Sequence, residues 1–416
     1  MKGRAASKST EGATSMPQQP HRPALEATGT GWICFSAQDW WYHNRAHSDF
    51  QLMRRVAQRR PVLFINSIGM RMPVPGRTTQ VARRIVRKAR SMLRFLSQPL
   101  AETPGFHVLT PVILPFYGSS TARAANAWLI RKQVRLAAQR VGIDPSDAVV
   151  FVTIPTAWDV VRPLPRRSLL ANRSDLHSAF EETDQAVIRE LENELLVHSD
   201  VVLYTSHSLM RTEQSLSEDR AVFFDHGVDF DRFAVERGAP PGDMANIPHP
   251  IVGFFGGIDD YVVNLDLLRR VAEELPECSL VLIGDATCPI DDLLSLPNVH
   301  WLGFRPYEEI PSYGAEFDVA LMPWLRNEWI EHSNPIKLKE YLALGLPVVS
   351  TDFPEVHYYS DAIAIASDDE HFVRLVAEAL DGKALGTEQT RRARVARTTW
   401  DRQADELVTL GEGVVP

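Results

Sequence analysis

Residues 332–351 read HSNPIKLKEYLALGLPVVST, and the punctuation of that stretch decides how the surrounding chain is read. Ser333 and Asn334 are residue types that cap helix starts, and Pro335 suits the first helical position, where its missing N–H would be unpaired anyway. A helix is therefore expected from about Pro335. Gly345 accepts a left-handed stop, Pro347 cannot extend a helix, and Val348, Val349, Ser350 and Thr351 suit a buried strand. Lys337 then falls in the first turn, where the helix dipole disfavours a cation by about 0.3–1 kcal/mol. An anion bound at the helix start reverses that sign, because free N–H groups and a lysine together make a phosphate site. The competing account leaves Lys337 exposed and paired with Glu340 one turn on, worth about 0.2–0.5 kcal/mol.

Outward from this stretch the chain repeats one grammar: a short apolar run, a small or polar residue, then a helical pattern. The runs are GWICFSA (31–37), PVLFINS (61–67), FHVLTPVILPF (106–116), AVVFVTIP (148–155), SLLANRSD (168–175), VVLYTS (201–206) and AVFFDHG (221–227). They restart with HPIVGFFGGI (249–258), CSLVLIGD (278–285), VHWLGF (299–304), DVALMPW (318–324), PVVST (347–351) and AIAIAS (362–367). Such alternation implies parallel sheets covered on both faces. The Pro- and Gly-rich stretch 235–250 reads as a linker. The expectation is an α/β protein of two tandem Rossmann-like doubly wound domains facing a cleft, over 31–245 and 246–392. Residues 1–30 are expected to be a disordered tail, and 393–416 a C-terminal crossing helix. In such sheets ligands bind beyond the carboxyl ends of the strands. There Gly256 and Gly257, Asp285, Arg305, Tyr307 and Asn327 gather as candidates, with Trp324 either lining the site or belonging to the core.

The 416 residues contain no apolar run approaching a membrane span and no apolar core of a signal peptide in the first thirty. Cys34, Cys278 and Cys288 have neither zinc nor disulfide spacing. A reducing cytoplasm and no structural metal are expected. Charge is uneven: 31 Lys and Arg stand against 24 Asp and Glu before residue 246, and 13 against 29 after it. The two halves therefore face different surroundings. No dinucleotide or P-loop glycine fingerprint occurs.

The second half resembles the donor domain of family 4 retaining glycosyltransferases, the group 1 family with the GT-B fold. The resemblance lies in VGFFGGI, LVLIGD, VHWLGFRPYEEIPSYGAEFDVALMPW and NPIKLKEYLALGLPVVST, over roughly 249–367. VFFDHGVDFDRFA (222–234) resembles the segment closing the family's first domain, and ARVARTTWDRQADELVTL (393–410) its crossing helix. The resemblance implies transfer of a sugar from a nucleotide-diphosphate sugar, with retention and without a cofactor or an obligatory metal. It implies that Glu340 binds the ribose hydroxyls. His332 stands where the family has its first motif Glu, which meets the donor sugar. The family's basic pair after the Gly-Gly loop is missing, which leaves Lys337 and the helix start, with Ser333 and Asn334, for the diphosphate.

On the acceptor side, Asp39, His43, Arg45 and Asp175 lie past strand ends and are candidates for acceptor binding or catalysis. Asp175 could instead cap the following helix. The run RTTQVARRIVRKARSMLRFLSQPL (77–100) places apolar residues on one helical face, with Arg83, Arg84, Arg87 and Lys88 around it and no acid between Asp49 and Glu102. That pattern fits an anionic membrane surface at the inner face of the membrane, or a solvated helix packed on the sheet. Nucleic acid is not expected, because aromatic interleaving is missing. The acceptor is expected to be a polysaccharide or lipid-linked intermediate. An epimerase of the same architecture and a non-catalytic nucleotide-sugar binder are the other readings.

Overall fold

The computed structural model describes residues 29–42, 45–69, 90–113, 120–180 and 184–414. Fourteen strands form among these residues, in two sheets. The first sheet contains β1 (Trp32–Phe35), β2 (Val62–Ile65), β3 (Leu96–Ser97), β4 (Phe106–Leu109), β5 (Val149–Val152), β6 (Ser168–Arg173), β7 (Val201–Tyr204) and β8 (Ala221–Phe223). Their spatial order is β3-β4-β2-β1-β5-β6-β7-β8, parallel except for β3. The second contains β9 (Ile251–Phe255), β10 (Ser279–Ile283), β11 (Val299–Trp301), β12 (Val319–Met322), β13 (Val348–Thr351) and β14 (Ala364–Ala366). Its order, β11-β10-β9-β12-β13-β14, is parallel throughout.

Strands such as WICF, VLFI, VVFV and VALM are buried at every position, because helices cover both faces and no face needs to be polar. In the second sheet the chain order reverses on either side of β9, so the crevice opens where β9 and β12 send their following loops apart. The α/β expectation, with two doubly wound units, holds.

Two local expectations change. The stretch 77–100 does not continue as helix to its end: Leu96–Ser97 is an edge strand antiparallel to Leu109 and Val108. An edge strand offers Leu96 a backbone ladder as well as apolar neighbours, which an outlying helix turn would not. Residues 77–89, with Arg83, Arg84, Arg87 and Lys88, lie outside the described residues, as does His43. The passage between units also comes earlier than 245. Val228, Phe233 and Met244 already belong to the second core. Val228 N–H donates to Thr398 O (2.8 Å) and Trp400 N–H to Val228 O (3.3 Å), so two chain segments cross side by side here. A Cβ on Gly227 would lie 2.7 Å from the Trp400 backbone. Helix Glu388–Val395 packs on Ile336–Leu344, and helix Trp400–Gly413 packs on Ser48–Val56 of the first unit.

Candidate functional site: a glycine-floored cleft with a caged lysine

Helix Ile336–Leu344 begins at Pro335 as its N-cap and ends at Gly345 in the left-handed conformation (φ 81°). Ser333 and Asn334 do not cap it. Ser333 Oγ donates to Trp329 O (2.8 Å), while Asn334 Nδ2 donates to Thr205 O (2.7 Å) and Asp225 Oδ1 (2.9 Å) of the first unit. No side chain caps this start among the described residues, so its first-turn amides stay available to a ligand.

Lys337 is half-buried beside that start. Its Nζ lies 4.5 Å from the centroid of Phe254 and 5.4 Å from that of Trp324. The two rings hold the ammonium by its attraction to their faces. Among the described residues no acceptor hydrogen-bonds it, though Glu340 and Asp259 act on it electrostatically. Burial lowers its pKa to about 8. The ammonium leans on Gly256, where a Cβ would stand 2.5 Å from Nζ. Gly256 (φ 146°) and Gly284 (φ 143°) both need backbone that L side chains rarely adopt. A Cβ on Gly284 would collide with the Gly256 carbonyl oxygen. Gly284→Ala is accordingly expected to cost about 1–3 kcal/mol through strain alone, read as a lower urea midpoint with an unchanged slope. A variant as stable as wild type contradicts this packing.

Glu340, one turn along from Lys337, is 5% exposed and its Oε1 has no hydrogen-bond partner. Burial raises its pKa to about 7, against the lowering influence of Tyr307 and Lys337. A buried carboxylate with an unspent oxygen is costly unless something donates to it. Tyr307 is buried beside it, its ring tilted against Phe233 with centroids 5.6 Å apart.

Lys339 behaves differently. It is fully buried and ion-pairs with Asp225 at the end of the first unit. The two lysines of the stretch thus do separate work: Lys337 faces the cleft, and Lys339 ties the units together. Further ties converge on the same seam. Glu355 accepts from Ser206 Oγ (3.0 Å), His207 Nδ1 (3.0 Å) and Ser208 N (3.1 Å). Tyr261 Oη donates to Ala179 O (3.3 Å).

The other expected residues divide. Gly257 and Asp285 are exposed at the mouth beyond β9 and β10. His332 Nδ1 lies 3.1 Å from Ser208 Oγ, across the seam, and burial lowers its pKa. Asp175 does not cap a helix: its Oδ1 accepts from Trp329 Nε1 (3.1 Å) of the second unit, so it stands on the cleft wall. Arg305 is turned away, bonded to Tyr313 Oη (2.8 Å) and ion-paired with Asp243. Asn327 caps helix Glu328–Glu331 through Ile330 N–H (2.9 Å) and gives its Nδ2 to Tyr261 O (2.7 Å), so its amide serves the fold. Asp39 is buried, accepting from Trp41 N (3.0 Å) and Ser91 Oγ (3.0 Å), which makes it an anchor of the loop after β1. The Arg45 guanidinium lies over Trp40, its Cζ 3.8 Å from the ring centroid.

Residues that sequence reading passed over complete the wall. His47, on the same loop as Arg45, is held near pKa 4 by burial and feels Asp175. His226 is also held near 4, by burial and by Lys339. His47 was visible within AQDWWYHNRAHSD, but nothing there separated it from His43. The chemistry on offer is a backbone floor without side chains, a helix start with an ammonium, and a carboxylate with one oxygen lacking a donor. That set suits a diphosphate followed by vicinal hydroxyls.

The family model for glycosyl transferases group 1 matches residues 249–381, which hold the glycine floor, Lys337 and Glu340. TuaH of Bacillus subtilis, whose name assigns it to teichuronic acid biosynthesis as a glycosyltransferase, is 28% identical over 193 residues. That alignment spans 44% of this chain and 48% of TuaH, about half of the relative's length. Among solved structures, sucrose-phosphate synthase from Thermosynechococcus elongatus shares the fold with a TM-score of 0.70 at 15% identity, covering 92% of this chain and 98% of that one. The Anabaena HepE protein in complex with UDP and glucose gives 0.64 at 13%, covering 93% and 100%. Residues 249–381 are thus similar to the glycosyl transferases group 1 family, and the chain is built on the GT-B fold.

Proposed function

We propose that the protein transfers a hexosyl group, with retention, from a nucleoside-diphosphate sugar to a carbohydrate acceptor. The observation that carries this reading is Lys337, an ammonium caged by two rings beside an uncapped helix start and a glycine floor. In transfer an acceptor hydroxyl oxygen bonds to the anomeric carbon as the bond from that carbon to the diphosphate oxygen breaks; the electron pair goes to the leaving diphosphate, which takes up the hydroxyl proton. Lys337 and the helix-start amides would stabilise that charge, as preorganised donors do best in a site shielded from water. Gly256, Gly257 and Asp285 would border the diphosphate and sugar, and Glu340 would accept from the ribose hydroxyls. His332 would sit by the sugar, and Asp175 on the acceptor side. UDP is the first nucleotide to try, since HepE was solved with UDP and glucose. The name of TuaH supports a cell-surface polysaccharide or its lipid-linked precursor as acceptor.

The test is turnover. Incubation with UDP-hexoses and lipid-linked or oligosaccharide acceptors should release UDP only when an acceptor is present. Isomerised donor would instead identify an epimerase, and bound but unchanged donor a binding protein. The ribose contact has its own check. Wild type should bind UDP about tenfold more tightly than 2′-deoxy-UDP, a difference of about 1.4 kcal/mol for a hydrogen bond to a charged group. Glu340→Gln should shrink that ratio towards one. An unchanged ratio removes Glu340 from the ribose.

A peripheral place on an anionic membrane belongs to the same proposal. No described helix is long and apolar enough to cross a membrane. Helix Ser120–Arg140 carries Arg123, Arg131, Lys132, Arg135 and Arg140 without an acid, and it exposes Trp128 (56%) and Leu136 (52%). Basic residues near such a surface contribute about 1 kcal/mol each. Sedimentation with phosphatidylglycerol vesicles should fall several-fold in Lys132→Glu/Arg135→Glu. Equal sedimentation of variant and wild type would move the membrane contact elsewhere or remove it.

A further inference from the structure

We propose that Trp329 and Tyr261, with Asp175 facing them across the seam, form the subsite for the donor's sugar ring, and that its chemistry selects a neutral hexose over a hexuronate. The inference rests on the nucleoside-diphosphate-sugar reading and adds to it the class of sugar that is accepted.

Two loops of the second unit lead from the Lys337 cage to this wall, and each link is a contact. Trp324, whose ring centroid lies 5.4 Å from the Lys337 ammonium, pairs with Val263 in an antiparallel bridge. Leu325 N–H donates to Val262 O (2.8 Å), and Asn327 Nδ2 to Tyr261 O (2.7 Å). The loop after Gly256 and Gly257 is thereby zipped to the loop after β12. At its end Tyr261 and Trp329 lie nearly parallel (17°), with ring centroids 6.0 Å apart. Phe180 of the first unit meets Trp329 edge-to-face at 5.4 Å, and Trp329 Nε1 donates to Asp175 Oδ1 (3.1 Å). Asp175 is held from its own side as well: Ser174 Oγ donates to its Oδ2 (3.0 Å) and Arg173 Nη1 to its backbone O (2.6 Å). Tyr261, Trp329 and Asp175 are each half-buried, so each keeps some surface open.

The order of the strands decides which part of the ligand reaches the wall. Tyr307, beside Glu340, follows β11; Gly256, against the Lys337 ammonium, follows β9; Trp324 and Trp329 follow β12. The sheet runs β11-β10-β9-β12, with neighbouring strands about 4.8 Å apart. A ligand with its ribose at Glu340 and its diphosphate at Lys337 therefore carries its sugar on towards the loop after β12. There the two rings meet it from the second unit, and Asp175 closes the space from the acceptor side.

The chemistry of the wall then sets the sugar. Aromatic rings offer apolar surface to the C–H face of a pyranose, and a few placed polar groups fix its orientation. A carboxylate only accepts, so Asp175 takes hydrogen bonds from sugar hydroxyls and has none to give to a sugar carboxylate. Among the described residues no cation ion-pairs with Asp175. His47 and His226, which feel it, are held near pKa 4 by burial and stay neutral at pH 7.5. A hexuronate would thus set a second negative charge against the first, in a site that rewards a hydroxyl at the same place.

The experiment is calorimetric titration of the full chain at pH 7.5 with UDP, UDP-glucose, UDP-galactose and UDP-glucuronate. The tighter of the two neutral donors should bind about tenfold or more above UDP-glucuronate. Asp175→Asn should narrow that ratio to about threefold or less and leave UDP unchanged, because the amide removes the charge and supplies donors. Trp329→Ala should weaken the neutral donor about fivefold and UDP less than about twofold, whereas Trp329→Phe, which keeps a ring, should stay close to wild type for both. Equal or tighter binding of UDP-glucuronate by wild type overturns the inference, as does an unchanged ratio in Asp175→Asn. Equal weakening of UDP and the neutral donor in Trp329→Ala makes the ring a support of its loop and overturns its place at the sugar. If that variant does not fold, the ratio in Asp175→Asn and the affinities of Trp329→Phe still decide. UDP binding without preference among the sugars removes the subsite and leaves the transferase reading standing; binding of none of the four removes both.

Discussion

Lys337→Met lowers kcat for sugar transfer about 10²–10³-fold, the loss seen when one preorganised donor to a developing negative charge is removed. The side chain is placed for that and for little else. Its ammonium is hydrogen-bonded to nothing among the described residues, and its cage of Phe254 and Trp324 would hold a methionine equally well. Stability should therefore hold or rise while activity falls. The pH profile carries the same information. Burial depresses Lys337 to about 8 and raises Glu340 to about 7. Donor capture needs Lys337 charged and Glu340 ionised, so kcat/KM rises through about 7 and falls beyond about 8. The two groups are neighbours, so these limbs belong to the pair. Lys337→Met should lose the alkaline limb. For stability the signs differ: the depressed lysine is a cost fully present below pH 8 and relieved as pH rises towards 10.5. The raised carboxyl removes stability as pH rises from 4.5 to about 7. A variant with wild-type kcat, or with an unaltered alkaline limb, contradicts the role given to Lys337.

The largest effect on folding is expected two residues further on. Lys339→Met should destabilise the protein by about 3–5 kcal/mol, because it strips one partner from a buried ion pair. Lys339 is fully buried, while Asp225 also accepts from Asn334 Nδ2 and the His226 amide. Losing the ammonium leaves that carboxylate short of compensation at the seam between the units. Lys339→Met/Asp225→Asn should recover much of the loss, since no uncompensated charge then remains. Urea unfolding of the three proteins reads both effects. A single variant within 1 kcal/mol of wild type would mean that the pair does not hold the seam. A double variant no better than the single would assign the cost to packing.

These two lysines also show what the sequence could convey. The helix from Pro335 to Gly345 was legible because the proline at its start, the glycine stop and the strand each left a residue-type signal, whereas Ser333 and Asn334, read as caps, are spent elsewhere. Lys337 was legible because a cation in a first turn conflicts with the dipole, and the conflict asks for an anion. Lys339 gave no such sign. Residues two apart do not share a helix face, and its partner Asp225 lies 114 positions earlier in the chain. The candidates past strand ends were found by position, which cannot say whether a side chain is already spent. Asn327 and Asp39 proved to be spent on their own loops, whereas Asp175 reached across to Trp329. The edge strand at Leu96 was hidden because an apolar residue there satisfies helical spacing as well as strand pairing, and only the distant partner Leu109 decides between them.

The measurement that bears most directly on the central claim is calorimetric binding of UDP to wild type and to Lys337→Met at pH 7.5. The account predicts that wild type binds UDP and that the variant binds it at least tenfold more weakly without loss of thermal stability. Failure of wild type to bind UDP, GDP, ADP or dTDP would contradict the diphosphate site, and so would equal affinity in the two proteins.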